Sequence, residues 1–218
     1  MTIHTPPPYA KARNPKRARY EEETINDILD CGLVGHVGFI ADGRPMVIPM
    51  AYARSGRTIY LHGSSKARIV AMHAQGDPLT MTVTLLEGIV AARSGFHHSM
   101  NYRAAIVHGH ARMVDDLGEV EEALKLITEH LLPFRWSEVR PMHDKERKGT
   151  GVVALEIEAA SAKVRQGPPV DEEEDHALPI WAGVIPIVTG LGAPMGDGKT
   201  PGEVPPPPSV HLARKKFA

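Results

Sequence analysis

The sequence predicts a mainly β fold, a small antiparallel barrel with a few flanking helices. Three observations carry this. Six runs alternate apolar with polar residues or are rich in β-branched side chains, only three stretches have helical spacing, and the order β-β-β-α-β-β-α-β does not make a doubly wound parallel sheet. At 218 residues, 42% apolar and 23% charged, the chain is long enough for one domain with extensions and a sizeable core.

Thr24, Ile25, Asn26 and Asp27 read as a capping box opening a short helix that Gly32 ends. A three-stranded meander follows: Val34 to Ala41, Met46 to Ala53 and Thr58 to His62, with turns at Asp42-Gly43-Arg44-Pro45 and Arg54-Ser55-Gly56-Arg57. Ser64 and Ser65 precede a helical run from Lys66 to His73, closed by Gly76-Asp77-Pro78. Leu79 to Ala92 and Tyr102 to Val114 are long strands joined by a Ser-, Gly- and His-rich loop. Glu119 to Leu132 is the clearest helix, with Val120, Leu124, Ile127 and Leu131 on one face, and Val152 to Val164 is the last strand.

This pattern divides the chain into a basic arm (1–20), a β domain (21–168) and a Gly/Pro-rich extension (169–218). Such an extension cannot bury enough surface to fold alone, so it is expected either to be disordered or to lie as an arm over a neighbouring subunit. Trp136 and Trp181, beside Pro-rich loops, are expected at subunit contacts.

Twenty-five basic residues against 26 acidic ones, a formal net charge of -1, argue against a general nucleic-acid binder. The single cysteine, Cys31, excludes intramolecular disulfides and thiolate-rich metal sites. No opening segment joins a basic stretch to an apolar one, and the longest apolar stretch, Ile180 to Met195, is short and broken by prolines and glycines. A cytoplasmic location without membrane association is expected.

Ala193-Pro194-Met195-Gly196-Asp197-Gly198-Lys199-Thr200 matches the relaxed phosphate-loop string. That chemistry requires a helix to begin at the lysine, and Pro201, Gly202 and Pro205 forbid one. His108 and His110 share a strand face and His97-His98 lie upstream, but no Asp- or Cys-rich companion completes a ligand set, so no metal is assigned. The run Asp171 to Asp175 reads as a solvated stretch of like charge.

His62-Gly63-Ser64-Ser65-Lys66 lies at a strand-to-helix junction. Glycine permits close backbone approach, the serines offer donors, and a helix N-terminus with a lysine supplies positive potential for a phosphate monoester. A capping serine pair with a solvated lysine fits the same string. Two neighbours in the pattern favour a ligand. Val47, Ile48, Pro49 and Met50 provide an apolar slot and backbone groups, while Asn101, Tyr102 and Arg103 provide donors for a flat aromatic cofactor.

These segments, Gly43 to Tyr52, Ile59 to Lys66 and Asn101-Tyr102-Arg103 ahead of a Gly109 strand, resemble the pyridoxamine 5'-phosphate oxidase-like flavin-binding split barrels, nearest the branch with the nitroimidazole-resistance proteins. The resemblance covers roughly residues 15 to 168. It implies a six-stranded split β-barrel, a homodimer, and FMN in a groove between subunits. By that resemblance Val47, Ile48, Pro49 and Met50 touch the isoalloxazine through their backbone, and His62, Gly63, Ser64, Ser65 and Lys66 hold the ribityl phosphate. Asn101, Tyr102 and Arg103 close over the ring or reach it from the partner subunit.

The second Arg-Lys set of the true oxidases is missing, with only Lys163 and Arg165 in its place, so the resemblance does not extend to vitamin B6 oxidation. The activity it implies is an FMN-dependent oxidoreductase acting on a small molecule with a reduced nicotinamide donor. His62 is the one candidate for proton delivery. The competing reading is a non-catalytic flavin- or haem-binding module, and a deazaflavin barrel is a third.

Overall fold

The computed structural model describes residues 6–72, 76–200 and 204–217, with backbone only at 71 and 72. Among them nine strands form one mainly antiparallel sheet: β1 (Ala18–Arg19), β2 (Gly35–Ala41), β3 (Arg44–Met50), β4 (Tyr52–Ser55), β5 (Thr58–Ser64), β6 (Pro78–Ala91), β7 (Ser99–Met113), β8 (Thr150–Arg165) and β9 (Gly183–Pro186). The strand order is β3-β2-β6-β7-β8-β5-β4, with β1 added to β8 and β9 to β6.

The β class is as expected, but the sheet has nine strands, not six, and does not close. The difference has local causes. The expected strand Met46 to Ala53 breaks at Ala51 into β3, which pairs with β2, and β4, which pairs with β5. β1 and β9 are short segments with no alternation of their own that borrow the edges of longer strands.

The turn residues explain the β2–β3 register. Asp42 and Gly43 have φ of 52° and 70°, the left-handed pair required by the tightest hairpin, and they set Ala41 opposite Arg44. Counting from that hydrogen-bonded pair, Pro45 and Pro49 fall opposite Ile40 and His36 at the non-hydrogen-bonded positions, where an N–H would face outward. β3 therefore ends the sheet path with a rim that carries the carbonyls of Pro45, Val47 and Pro49 and only the Val47 N–H.

The helices are α1 (Glu22–Cys31), α2 (Arg68–Met72), α3 (Leu117–Leu131), α4 (Asp144–Gly149) and α5 (Pro208–Lys216). α1 starts earlier than its expected capping box. Glu21 is the N-cap with no side-chain cap bond, which places Thr24 inside the helix, while Gly32 is the C-cap and its N–H bonds the Ile28 carbonyl. α3 is capped by Asp116, whose carboxylate accepts from the Glu119 N–H at 2.8 Å. α2 begins at Arg68 rather than Lys66, and its expected end, His73, lies outside the described residues.

The contacts group into two compact units. One comprises residues 1–32, 82–107 and 159–188 and buries Ile25, Ile28 and Leu29 of α1 with Val83, Val90, Ala105, Val107 and Ala162. The other comprises 33–81, 108–158 and 189–218. In it Val114, Val120, Ala123, Leu124, Val152 and Ala154 form a cluster against which Tyr60, Trp136 and Met142 pack. Trp136 is half-buried and packs against this cluster of its own chain. Trp181 is exposed and its ring lies over Gly183.

Two glycines are required by close approach. A Cβ on Gly109 would sit 1.8 Å from the Glu156 carbonyl oxygen, and one on Gly151 would sit 2.4 Å from Val70. Gly151 pairs with Gly63 across β5 and β8, and the bare pair lets α2 lie close to the sheet.

The extension is not loose. Asp171 accepts from the N–H and Nη1 of Arg93, both at 2.9 Å, and β9 pairs antiparallel with the end of β6. In the other unit Ser209 is fully buried and donates through Oγ to Glu138 at 2.6 Å, while the Lys216 ammonium donates to the His130 carbonyl at 2.7 Å. The extension folds by borrowing a strand edge and a carboxylate from the rest of the chain. No helix among the described residues is long and apolar enough to cross a membrane.

Candidate functional site

In the second unit, β5 runs on through Gly63 and Ser64 before the chain turns into α2. The turn is fixed by main-chain bonds. The Ser65 N–H donates to the Gly149 carbonyl at 2.9 Å, the Ala67 N–H to the Ser64 carbonyl at 2.7 Å, and the Lys66 N–H to Ser64 Oγ at 3.3 Å. Ser65 is therefore not a helix cap. It ties the turn to the end of α4, and the five-residue α2 contributes little dipole to an anion.

What the turn does offer is side-chain charge. Ser64, Ser65, Lys66 and Arg68 are all exposed, and among the described residues neither Lys66 nor Arg68 has an ion-pair partner. Arg68, not singled out from the sequence, doubles the positive charge two positions after Lys66.

His62, half-buried on β5 opposite Val152, is the most informative residue of the group. Its Nδ1 is buried and has no hydrogen-bond partner among the described residues. Burial also holds its imidazole below the ordinary histidine value. A neutral ring with an unpartnered nitrogen is an open donor or acceptor site, and a buried polar atom left unpaired costs roughly 1–3 kcal/mol. A ligand atom at this position would remove that cost.

β3, in the same unit, supplies the carbonyl-rich rim, with Ile48 and Met50 half-buried and Val47 and Pro49 exposed. α2 packs against β2, the partner of β3, as well as against β5. Val47 to Met50 and His62 to Lys66 thus belong to one compact unit.

Asn101, Tyr102 and Arg103 belong to the first unit, at the start of β7, and two of them are already engaged. Buried Asn101 donates through Nδ2 to the Gly167 carbonyl at 3.1 Å and accepts from Arg165 Nη1 through Oδ1. Arg103 forms an ion pair with Glu87, which also accepts from Gln166. The Tyr102 hydroxyl has no hydrogen-bond partner among the described residues.

Arg165 is 9% exposed and donates to the Gly167 and Pro168 carbonyls at 2.9 and 3.0 Å besides Asn101. No carboxylate pairs with it among the described residues, and burial, followed by the nearby positive charge of Arg17, lowers its pKa. The sequence carries no local sign of this arrangement, because its partners are main-chain carbonyls.

Of the histidines weighed for metal binding, His110 bonds Glu158 at 2.6 Å, and burial lowers the pKa of His108. His97 lies 3.5 Å from Glu172. In the phosphate-loop-like string, Asp197 accepts from the Lys199 N–H at 3.0 Å, so the loop binds its own carboxylate; Pro201 and Gly202 lie outside the described residues.

An open antiparallel sheet with a basic strand-to-helix turn and a carbonyl-bearing edge strand is the architecture of the split-barrel class, and proteins of known structure share it. The family model described as pyridoxamine 5'-phosphate oxidase matches residues 21–164, and the chain belongs to that family. The structure of the flavocytochrome Anf3 from Azotobacter vinelandii is 38% identical, covers 95% of this chain and 97% of its own, and superposes with a TM-score of 0.89. The FAD and haem binding protein from Mycobacterium smegmatis is 33% identical over 91% of this chain and 97% of its own, with a TM-score of 0.85. A proposed 5-nitroimidazole antibiotic resistance protein from Bacteroides thetaiotaomicron shares the fold at 20% identity, over 68% of this chain and 87% of its own, with a TM-score of 0.57. No curated protein matches the chain.

Proposed function

We propose that this protein is a flavin-dependent redox protein that binds the phosphate end of FMN or FAD at the turn from His62 to Arg68. The observation that carries the reading is the buried Nδ1 of His62, unpartnered among the described residues, at the head of the turn that carries Lys66 and Arg68, neither of which is ion-paired among them. These groups suit a phosphate with an adjoining polar chain. The backbone of Val47, Ile48, Pro49 and Met50 would line the flavin ring. Asn101 and Arg103 hold the start of β7 in place, and Tyr102 is free to meet a ligand.

The flavin supplies two-electron and one-electron chemistry. The chain needs no nucleophile of its own: Lys66 and Arg68 bind, the β3 rim orients, and the neutral His62 is available to hold a proton at Nδ1. The working unit is a homodimer in the cytoplasm, the electron donor a reduced nicotinamide and the acceptor a small molecule.

A second reading adds haem. Two relatives matched over 95% and 91% of this chain are described as a flavocytochrome and as an FAD and haem binding protein. The neutral imidazole of His62 would also be able to ligate a haem iron. In this form the two groups together would supply electron-transfer chemistry.

The purified protein's visible spectrum tests both. Bands near ~370 and ~450 nm report flavin and a Soret band reports haem, each a cofactor-borne signal. Heat extraction and chromatography separate FMN from FAD, and bleaching by NADH or NADPH tests the donor. A colourless protein that takes up neither flavin nor haem refutes the proposal.

A further inference from the structure

Arg165 has the five N–H donors of a guanidinium, and its hydrogen bonds use three of them. Nη1 donates to Asn101 Oδ1 and to the Gly167 carbonyl, and one Nη2 hydrogen goes to the Pro168 carbonyl. These bonds account for the turn after β8, where Gly167 has a φ of 102°. They leave the Nε hydrogen and the second Nη2 hydrogen without an acceptor among the described residues. Nε is not sealed from solvent, so a small molecule can reach it. Nε and Nη2 form one edge of the planar guanidinium, the geometry in which two N–H groups meet the two oxygens of a carboxylate.

The surroundings of this edge are positive. Arg165 is 9% exposed, and all three of its acceptors are uncharged. β1 runs beside the end of β8: the Val164 N–H donates to the Arg17 carbonyl at 2.9 Å, and Ala18 stands opposite Lys163. Arg17, Arg19 and Lys163 join no ion pair among the described residues, and Arg19 gives its guanidinium to the Lys16 and Ala18 carbonyls. The charge of Arg17 acts on Arg165, as does Tyr102. All these residues belong to the first compact unit. A buried guanidinium among neutral acceptors and further cations lacks the counter-ion that buried charge ordinarily has.

We propose that the free Nε–Nη2 edge of Arg165 binds the carboxylate of a small organic acid, with Arg17 adding positive potential that keeps the acid ionised. Two coplanar donors match two oxygens. A phosphate would bring more oxygens than this edge has hydrogens, and a second charge to a single buried cation. The bonds to Asn101, Gly167 and Pro168 hold the guanidinium plane in place before a ligand arrives, which lowers the ordering cost of binding. The site draws on none of the residues from His62 to Arg68, which belong to the other unit, so it stands or falls apart from the flavin reading.

The test follows the Arg165 Nε–H resonance in proton–nitrogen correlation spectra of the full chain as purified. Benzoate is added at constant ionic strength, with benzamide as its uncharged counterpart and inorganic phosphate as the competing anion. Benzoate should move that resonance saturably, with a dissociation constant at least about tenfold below that of benzamide, the difference a charge-assisted pair makes. Arg17→Ala removes a half-buried side chain that makes no hydrogen bond among the described residues, and it should weaken benzoate binding about threefold or more. Arg165→Lys keeps the charge but loses the planar edge, and it should weaken binding at least about tenfold.

An Nε–H resonance indifferent to benzoate, or moved equally by benzamide, overturns the site. Phosphate binding more tightly than benzoate overturns the carboxylate assignment, and unchanged affinity in Arg17→Ala overturns the part given to Arg17. If Arg165→Lys fails to fold, the wild-type resonance and the Arg17→Ala titration decide the matter on their own.

Discussion

Replacing Asn101 by alanine separates two roles that the sequence cannot tell apart. Its buried amide gives one bond to a neutral carbonyl and takes one from a guanidinium. The neutral bond contributes about 1 kcal/mol and the charge-assisted one about 1.5–3 kcal/mol, so Asn101→Ala should lose roughly 2.5–4 kcal/mol. For a chain of this size that is a fall in melting temperature of about 10 °C. Differential scanning calorimetry measures the loss, and fluorescence titration of the folded variant at low temperature measures flavin affinity. A positioning role predicts lower stability with affinity unchanged within about threefold. A variant as stable as wild type that binds flavin much more weakly would show that Asn101 touches the ligand, and the reasoning from its bonds to Gly167 and Arg165 would be wrong.

Lys66→Ala with Arg68→Ala should weaken flavin binding by about 2–3 kcal/mol, roughly 30- to 150-fold, with no change in unfolding midpoint, because both side chains are exposed; isothermal titration reads the difference. His62 titrates below its unfolded value, so the unfolded chain binds more protons in the window just below pH ~6.5; stability is complete above that pH and falls as the pH drops toward the folded value. Urea unfolding at pH 7.5 and 5 should show a smaller acid loss in His62→Gln than in wild type, with the share due to His108 remaining. Gly109→Ala should fail to fold, since its methyl would overlap the backbone oxygen of Glu156 and no side chain can move aside; soluble yield and circular dichroism decide it. Ser209→Ala, which removes a buried bond to Glu138, should cost about 1–2 kcal/mol and make the segment before α5 more sensitive to limited proteolysis.

The parts of the fold legible in the sequence are those where one residue's chemistry decides a local conformation. Asp42-Gly43 announces the hairpin, and the alternation in β2 reappears as its buried and exposed faces. The apolar spacing of Val120, Leu124 and Ile127 places α3 within two residues of its observed ends. Elements stabilised from a distance were not legible. α4 is nearly all charged and is held by Arg140, Glu146 and the His143 N–H, which together bring the Glu146 carboxyl down to about 2. α5 depends on Glu138, and β1 and β9 depend on edges formed by β8 and β6.

The candidate site divides along the same line. His62 and Lys66 stand out as residue types, whereas the unpartnered state of one ring nitrogen depends on every neighbour it lacks. The reverse holds for Asn101 and Arg103. Their donors look available in the sequence because Gly167, Arg165 and Glu87 are distant along the chain.

The two prolines of β3 have a consequence for how these molecules coexist at high concentration. An outer strand with a full ladder of donors is a template on which foreign strands accumulate into fibrils. Pro45 and Pro49 delete the donors at both ends of that ladder, so an incoming strand meets lone pairs and a single amide hydrogen. Restoring the donors with valine would convert a rim suited to a small molecule into a seam for polymer growth.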